Sequence, residues 1–261
     1  ENTIFSRLCS LPEKATDRIL FACGIFLSVT ELYKQLFLFY FINQRHYDWW
    51  FFPFQLCSLP LYLCLLVPFL PSGRPKRALC TFMQDYNLLG GIAALAVPDG
   101  FCHIHWTLTL HGYLWHCLLI LIGLLIWSSG RSDRSWRGFT DTIPCFFVFC
   151  SMATAINVLA PGHGRADMFY LSPYAPSSQP VFHGLPLRLG IWPANLLYLL
   201  TILAGASLIH FLSAIAGIRE MPPQPKAFSI SAPALRACPM ICLYSGSIRA
   251  PSSRQNSLPS K

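Results

Sequence analysis

Long apolar runs alternate with short polar connections along most of the chain. A helix needs about 20 apolar residues to cross a hydrocarbon core about 30 Å thick. The pattern predicts spans at about Arg18–Ile42, Trp49–Pro71, Ala78–Pro98, Trp106–Trp127, Phe139–Ala160 and Ile191–Gly217. The second lies in DWWFFPFQLCSLPLYLCLLVPFLP (Asp48–Pro71), which opens on an aromatic cluster and holds Pro53, Pro60 and Pro68. Interior prolines kink a helix, so the other spans are expected to pack around a bent one. Residues 1–17 read as a polar N-terminal segment. Residues 218–261, rich in Pro and Ser without periodicity, read as a disordered tail, although their Cys and apolar residues also fit a frameshifted end. The expected fold class is all-α, a polytopic transmembrane helix bundle over 18–217 with six visible spans.

Composition agrees. Of 261 residues, 54% are hydrophobic and 11% charged, and mean hydropathy is +0.46. Soluble domains carry about 25% charged residues, so no separate soluble domain is expected. The net charge of +8 would suit nucleic acid, but the cations sit in loops between spans, and no nucleic-acid partner is expected. The leading segment carries Arg7, Lys14 and Arg18; the connection after span two carries Arg74, Lys76 and Arg77; that after span four carries Arg131, Arg134 and Arg137. The tail adds Arg219, Lys226, Arg236, Arg249, Arg254 and Lys261, whereas the alternate connections hold only Arg45, then none, then Arg165 with Arg188. The positive-inside rule therefore places the leading segment, the two basic loops and the tail in the cytoplasm, with 43–48, 99–105 and 161–190 outside. Trp49, Trp50, Trp106 and Trp192 then fall at the outer interface and Trp127 and Trp136 at the inner one, as aromatic belts require. The outer connection 161–190 is long enough to be a lid or binding element.

Eleven cysteines lie mostly inside apolar runs, where cysteine acts as a small hydrophobe; neither a disulfide framework nor a zinc site is expected. The chain starts at Glu1 without the pattern of a cleaved leader, and its native start is expected to be missing.

Polar groups inside spans are costly and mark cavities or internal pairs. Glu31 and Lys34, three apart on one helix face, form either a charged cavity element or a packing ion pair. Asp85 needs a partner, for which Lys34 is the expected candidate, while Gln84, Asn87, Gly90 and Gly91 suit close helix approach. His111 is a candidate general base; His116 is more simply a hydrogen-bonded buried histidine. Gln55, His111 and Asn157 come to similar depth on three helices and form the expected constellation. Cys57 and His111 could make a thiol–base pair, with an inert cysteine as the alternative. His103-x-His105, with Asp48, Asp99 and Asp167 as the nearby carboxylates, is a weak metal motif, and no cofactor is indicated.

An ordered set of motifs resembles the YwaF-like integral membrane family of bacteria. These are ELYKQ with Glu31 and Lys34, Pro53-Phe-Gln55-Leu-Cys57, Gly90, Gly91 and Pro98, His111, Asn157, Tyr170-Leu171 with Pro173, and LGIWP at Leu189–Pro193. The resemblance runs over about 18–217. It implies a seven-span fold with the first helix absent here, and location in the bacterial cytoplasmic membrane. The family commonly has His where this chain has Gln55. Distant eukaryotic relatives are associated with phospholipid acyl transfer through a Cys and a His; His111 is similar in place to that His, and the Cys position falls at Phe54. The combined expectation is an outward-facing polar cavity for membrane lipids or another amphiphile. Glu31, Lys34, Gln55, Cys57 and Asp85 would contact substrate, with His111 as base oriented by Asn157. The alternatives are a carrier without chemistry and an accessory subunit.

Overall fold

The computed structural model describes residues 11–162 and 166–220, with side chains given to residue 216. The first helix, α1, runs Glu13–Phe37 and ends in a π-helical turn, Leu38–Ile42. After single 3-10 turns at Trp49–Phe51 and Leu56–Ser58 come α2 (Leu59–Leu66), continued by the turn Val67–Phe69, and α3 (Arg74–Ala96). Then follow α4 (Trp106–Ser128), α5 (Trp136–Leu159), a turn at Met168–Tyr170, the short α6 (Leu185–Leu189) and α7 (Ile191–Glu220). The described residues are helical or irregular throughout.

Among the described residues, four helices are long and apolar enough to cross a membrane: Glu13–Ile42, Trp106–Ser128, Trp136–Leu159 and Ile191–Ala216. The expected second span is broken instead. Its prolines divide it into the apolar segment Leu56–Phe69 and the irregular stretch before it, because a proline supplies no N–H and blocks the preceding turn. The expected third span, α3, is long but carries Thr81, Gln84, Asp85 and Asn87.

The hub of the bundle is therefore α3 and not the kinked stretch. It packs against α2, α4, α5 and α7, and every residue from Cys80 to Leu88 is buried. Over Cys80–Leu88 the helix presents no face to lipid, so it can hold polar groups there that an outer helix could not. The outer helices bear the apolar surface, as at Val29 of α1, Leu121 of α4 and Leu196 of α7, each more than half exposed.

The closest crossing is α3 on α4. A Cβ on Gly91 would lie 2.7 Å from Ile120 Cγ1 and 3.1 Å from the His116 carbonyl, and one on Gly123 would lie 2.7 Å from Leu88 Cγ. Gly90, by contrast, faces open space, so only one of the expected glycines serves packing. Gly123→Val should lower stability by about 2 kcal/mol through overpacking, while Gly90→Ala should be neutral or stabilising. Unfolding of the two variants in SDS titration checks the contrast.

Two ends can be told apart. At the basic end, Lys76 of α3 and Arg131, just past α4, meet Glu13 and Asp17 of α1. At the histidine-rich end, the rings of His105 and His103 lie 5.4 Å from Phe37 and 6.3 Å from Phe51.

Candidate functional site

The segment Ala166–Ser172 belongs to the connection between α5 and α6, yet it is inserted among the helices; Ala166, Asp167, Met168, Phe169, Leu171 and Ser172 are all buried. Two amides hold it. Asn157 donates Nδ2–H to the Met168 carbonyl at 3.0 Å and accepts the Met168 N–H on Oδ1 at 2.6 Å. Gln55 donates Nε2–H to the Asp167 carbonyl at 2.9 Å and accepts the Phe169 N–H on Oε1 at 2.8 Å. A buried backbone group must find such a partner, and an amide supplies one donor and one acceptor side by side. Phe169 and Tyr170, with φ of 55° and 56°, take the left-handed conformation that bulky residues avoid. Asp167 turns its carboxylate onto the following loop, accepting from Ser172 N–H and from the Ser178 N–H and hydroxyl. Burial pushes its carboxyl above the usual range despite these donors.

The expected constellation of Gln55, Asn157 and His111 thus resolves into two parts. Both amides spend their donor and acceptor on the inserted segment rather than on His111. Glu31 is likewise committed: it pairs with Lys34 at 2.8 Å and accepts Gln35 Nε2–H at 2.7 Å, while the same Gln35 group reaches the Phe51 carbonyl at 2.6 Å. The partner of Asp85 is not Lys34 but His210, at 2.8 Å. Lys34 is already taken by Glu31, and α7 brings an imidazole to α3 instead. His116 donates from Nδ1 to the Gly112 carbonyl at 2.8 Å and stacks on Phe101, the satisfied buried histidine expected.

His111 differs. It lies on α4 in a crevice of about 300 Å³ between α1 and α4, walled by Phe26, Val29, Tyr33, Leu110 and Leu114. Its Nε2 is buried without a hydrogen-bond partner among the described residues, as is Oγ1 of Thr107 one turn before it. Both residues line the crevice. The His111 ring rests 5.3 Å from Trp115, whose Nε1–H donates to the Cys57 carbonyl at 2.9 Å. Trp115 therefore ties the Cys57 turn to the helix that carries His111. The sequence reading did not single out Trp115 or Thr107; an indole four residues after a histidine on an apolar helix looks like ordinary core.

No group of three His, Cys, Asp or Glu side chains gathers among the described residues. His163, one of the outer histidines, lies outside them, as does the expected tail beyond residue 220.

A profile of the TMEM164 family matches residues 5–211. The chain belongs to the TMEM164 family. That is a family of membrane proteins, and the match covers α1 to most of α7, including the crevice and the inserted segment. The motifs had pointed to a YwaF-like affiliation; what the match establishes is TMEM164-family membership and, with the four apolar helices, a multi-pass membrane protein. Neither the curated proteins nor the solved structures give a match.

Proposed function

We propose that this TMEM164-family chain takes a lipid or similar amphiphile into the crevice between α1 and α4. One observation carries the reading: two residues that line an apolar crevice, His111 and Thr107, each hold a buried polar atom, Nε2 and Oγ1, with no partner among the described residues. An unmatched buried polar atom costs about 1–3 kcal/mol. A ligand whose apolar chain fills the crevice and whose ester, hydroxyl or phosphate oxygen meets His111 removes that cost. Such a ligand is an amphiphile, and the crevice walls are helix faces exposed to the lipid phase.

In this proposal the helices make six spans, with α3 and the Leu56–Phe69 segment enclosed by the others. The basic end is cytoplasmic, and the histidine-rich end faces outward. If chemistry occurs, it is acyl transfer or hydrolysis with His111 as general base. A second reading, binding or carriage without chemistry, is favoured by the engagement of Asn157 with Met168 and of Glu31 with Lys34 and Gln35 rather than with the His111 ring.

The test uses the full chain in nanodiscs with a fluorescent phospholipid. His111→Ala and Thr107→Val should each weaken lipid retention, His111→Ala by about tenfold, equivalent to about 1.4 kcal/mol. Gly90→Ala leaves the crevice untouched and should retain lipid. Acyl products formed by wild type and lost in His111→Ala select the enzyme; retention without products selects the binding protein. Unchanged retention in both crevice variants overturns the proposal.

A further inference from the structure

His210 of α7 is 3% exposed, and its ring lies between two acceptors. Nδ1 is 2.8 Å from Oδ2 of Asp85 on α3, and Nε2 is 3.0 Å from the carbonyl of Ser135, the N-cap of α5. A carbonyl oxygen only accepts, so Nε2 carries a hydrogen. Asp85, fully buried, accepts Gln84 Nε2–H on its other oxygen at 2.9 Å, and Gln84 in turn accepts from the Ser132 hydroxyl at 2.5 Å. This chain of donors suits an ionised carboxylate. A neutral imidazole has one N–H and cannot satisfy both Asp85 and Ser135. The two contacts together require one further proton; carried on Nδ1 rather than on Asp85 Oδ2, it gives an imidazolium–carboxylate pair that is neutral overall, the form in which buried charges persist.

The charged groups that act on the ring are Asp85, from α3, and Asp133, from the connection between α4 and α5; α5 itself contributes the Phe139 ring at 5.5 Å. Asp133 is held by the Ser135 N–H on Oδ1, next to the exposed Ser135. The pair is therefore buried, but a surface residue of the basic end lies one hydrogen bond away.

We propose that Asp85 and His210 form a proton-binding site near the basic end of the bundle, and that the bound proton latches α7 to α3 and to the start of α5. Ionisable pairs inside membrane proteins commonly mark proton sites. When the proton leaves, the ring keeps one N–H, and either the carboxylate or the Ser135 carbonyl loses its partner. The latch is thus closed while the pair is protonated and opens as pH rises. A second tie, Trp127 Nε1–H to the Ser213 carbonyl at 3.0 Å, lies one turn further along α7 and does not titrate. The site is separate from the crevice and stands whether or not the lipid reading holds.

The test is nitrogen NMR on the full chain in nanodiscs with ¹⁵N-labelled histidine, at about pH 8, where an ordinary histidine is neutral. The resonances that disappear in His210→Gln should show both ring nitrogens protonated in wild type. In Asp85→Asn the amide can present its own N–H to Nδ1, and His210 should revert to a single N–H. The thermal midpoint of wild type should fall as pH rises toward about 10, whereas the midpoints of Asp85→Asn and His210→Gln should lack that step. A wild-type His210 with one N–H at about pH 8 overturns the proton site, and that spectrum decides it even if a variant fails to fold. An imidazolium that persists in Asp85→Asn, or a pH step that survives in His210→Gln, overturns the latch.

Discussion

Asn157→Leu should destabilise the protein by about 4 kcal/mol, measured by unfolding in SDS titration against wild type. Leucine repeats the branched skeleton of asparagine but leaves the Met168 N–H and carbonyl buried without partners, at about 1–3 kcal/mol each. Met168 is fully buried, so water cannot replace the amide unless the segment leaves its place. Part of the loss is offset when it does, because Phe169 and Tyr170 are released from left-handed conformations that cost of order 1 kcal/mol each. Gln55→Leu should cost a similar amount, by orphaning the Asp167 carbonyl and the Phe169 N–H. The double variant should cost clearly less than the sum, since either change already frees the same short segment. Strict additivity would mean that the two amides do not hold one cooperative unit.

This pair of amides shows what could be read from the chain beforehand and what could not. The all-helical class followed from run length, because a bilayer demands continuous apolar stretches, and the four apolar helices fall on four of the six expected runs. The similar depth of Gln55 and Asn157 was also legible, from their distance to the span ends. Their partner was not, because the 166–172 segment looks like any outer loop until its backbone is seen inside the bundle. The same limit applies to Asp85. A lone carboxylate in a span calls for a cation, and Lys34 was the expected one; the packing of α7 against α3 brings His210 instead. The Glu31–Lys34 pair was readable because both residues lie on one helix, three apart. Contacts within an element follow from its period; contacts between elements follow from the topology.

The hub was misplaced for a related reason. Hydropathy ranks helices by suitability for lipid, and α3 ranks low because it holds Gln84, Asp85 and Asn87. In a bundle the least lipid-compatible helix is the one that the others must enclose. Polar content in a long helix between apolar ones is therefore a signal of centrality, and the Asp48–Pro71 stretch, more apolar but broken by proline, sits beside it.

Lys76→Met should be the most damaging change at the basic end, at about 3–5 kcal/mol. The ammonium is buried, 2.7 Å from Asp17 and 3.4 Å from Glu13, and Arg131 approaches the same two carboxylates at 3.1 and 2.7 Å. Two cations and two anions cancel; removing one cation leaves an uncompensated carboxylate where water is scarce, and such a loss costs more than the intact pair contributes. Arg74 offers the control. It grips Asp141 in a two-pronged pair at 2.7 and 2.5 Å, yet its side chain is 65% exposed, and solvent screens exposed pairs. Arg74→Met should therefore have little measurable effect, although its geometry is the better of the two. Adding Asp17→Asn to Lys76→Met should recover part of the loss, because it removes the charge that the first change stranded. A double variant no better than Lys76→Met alone would mean that the lysine acts by filling space between α1 and α3, and that charge balance is secondary there.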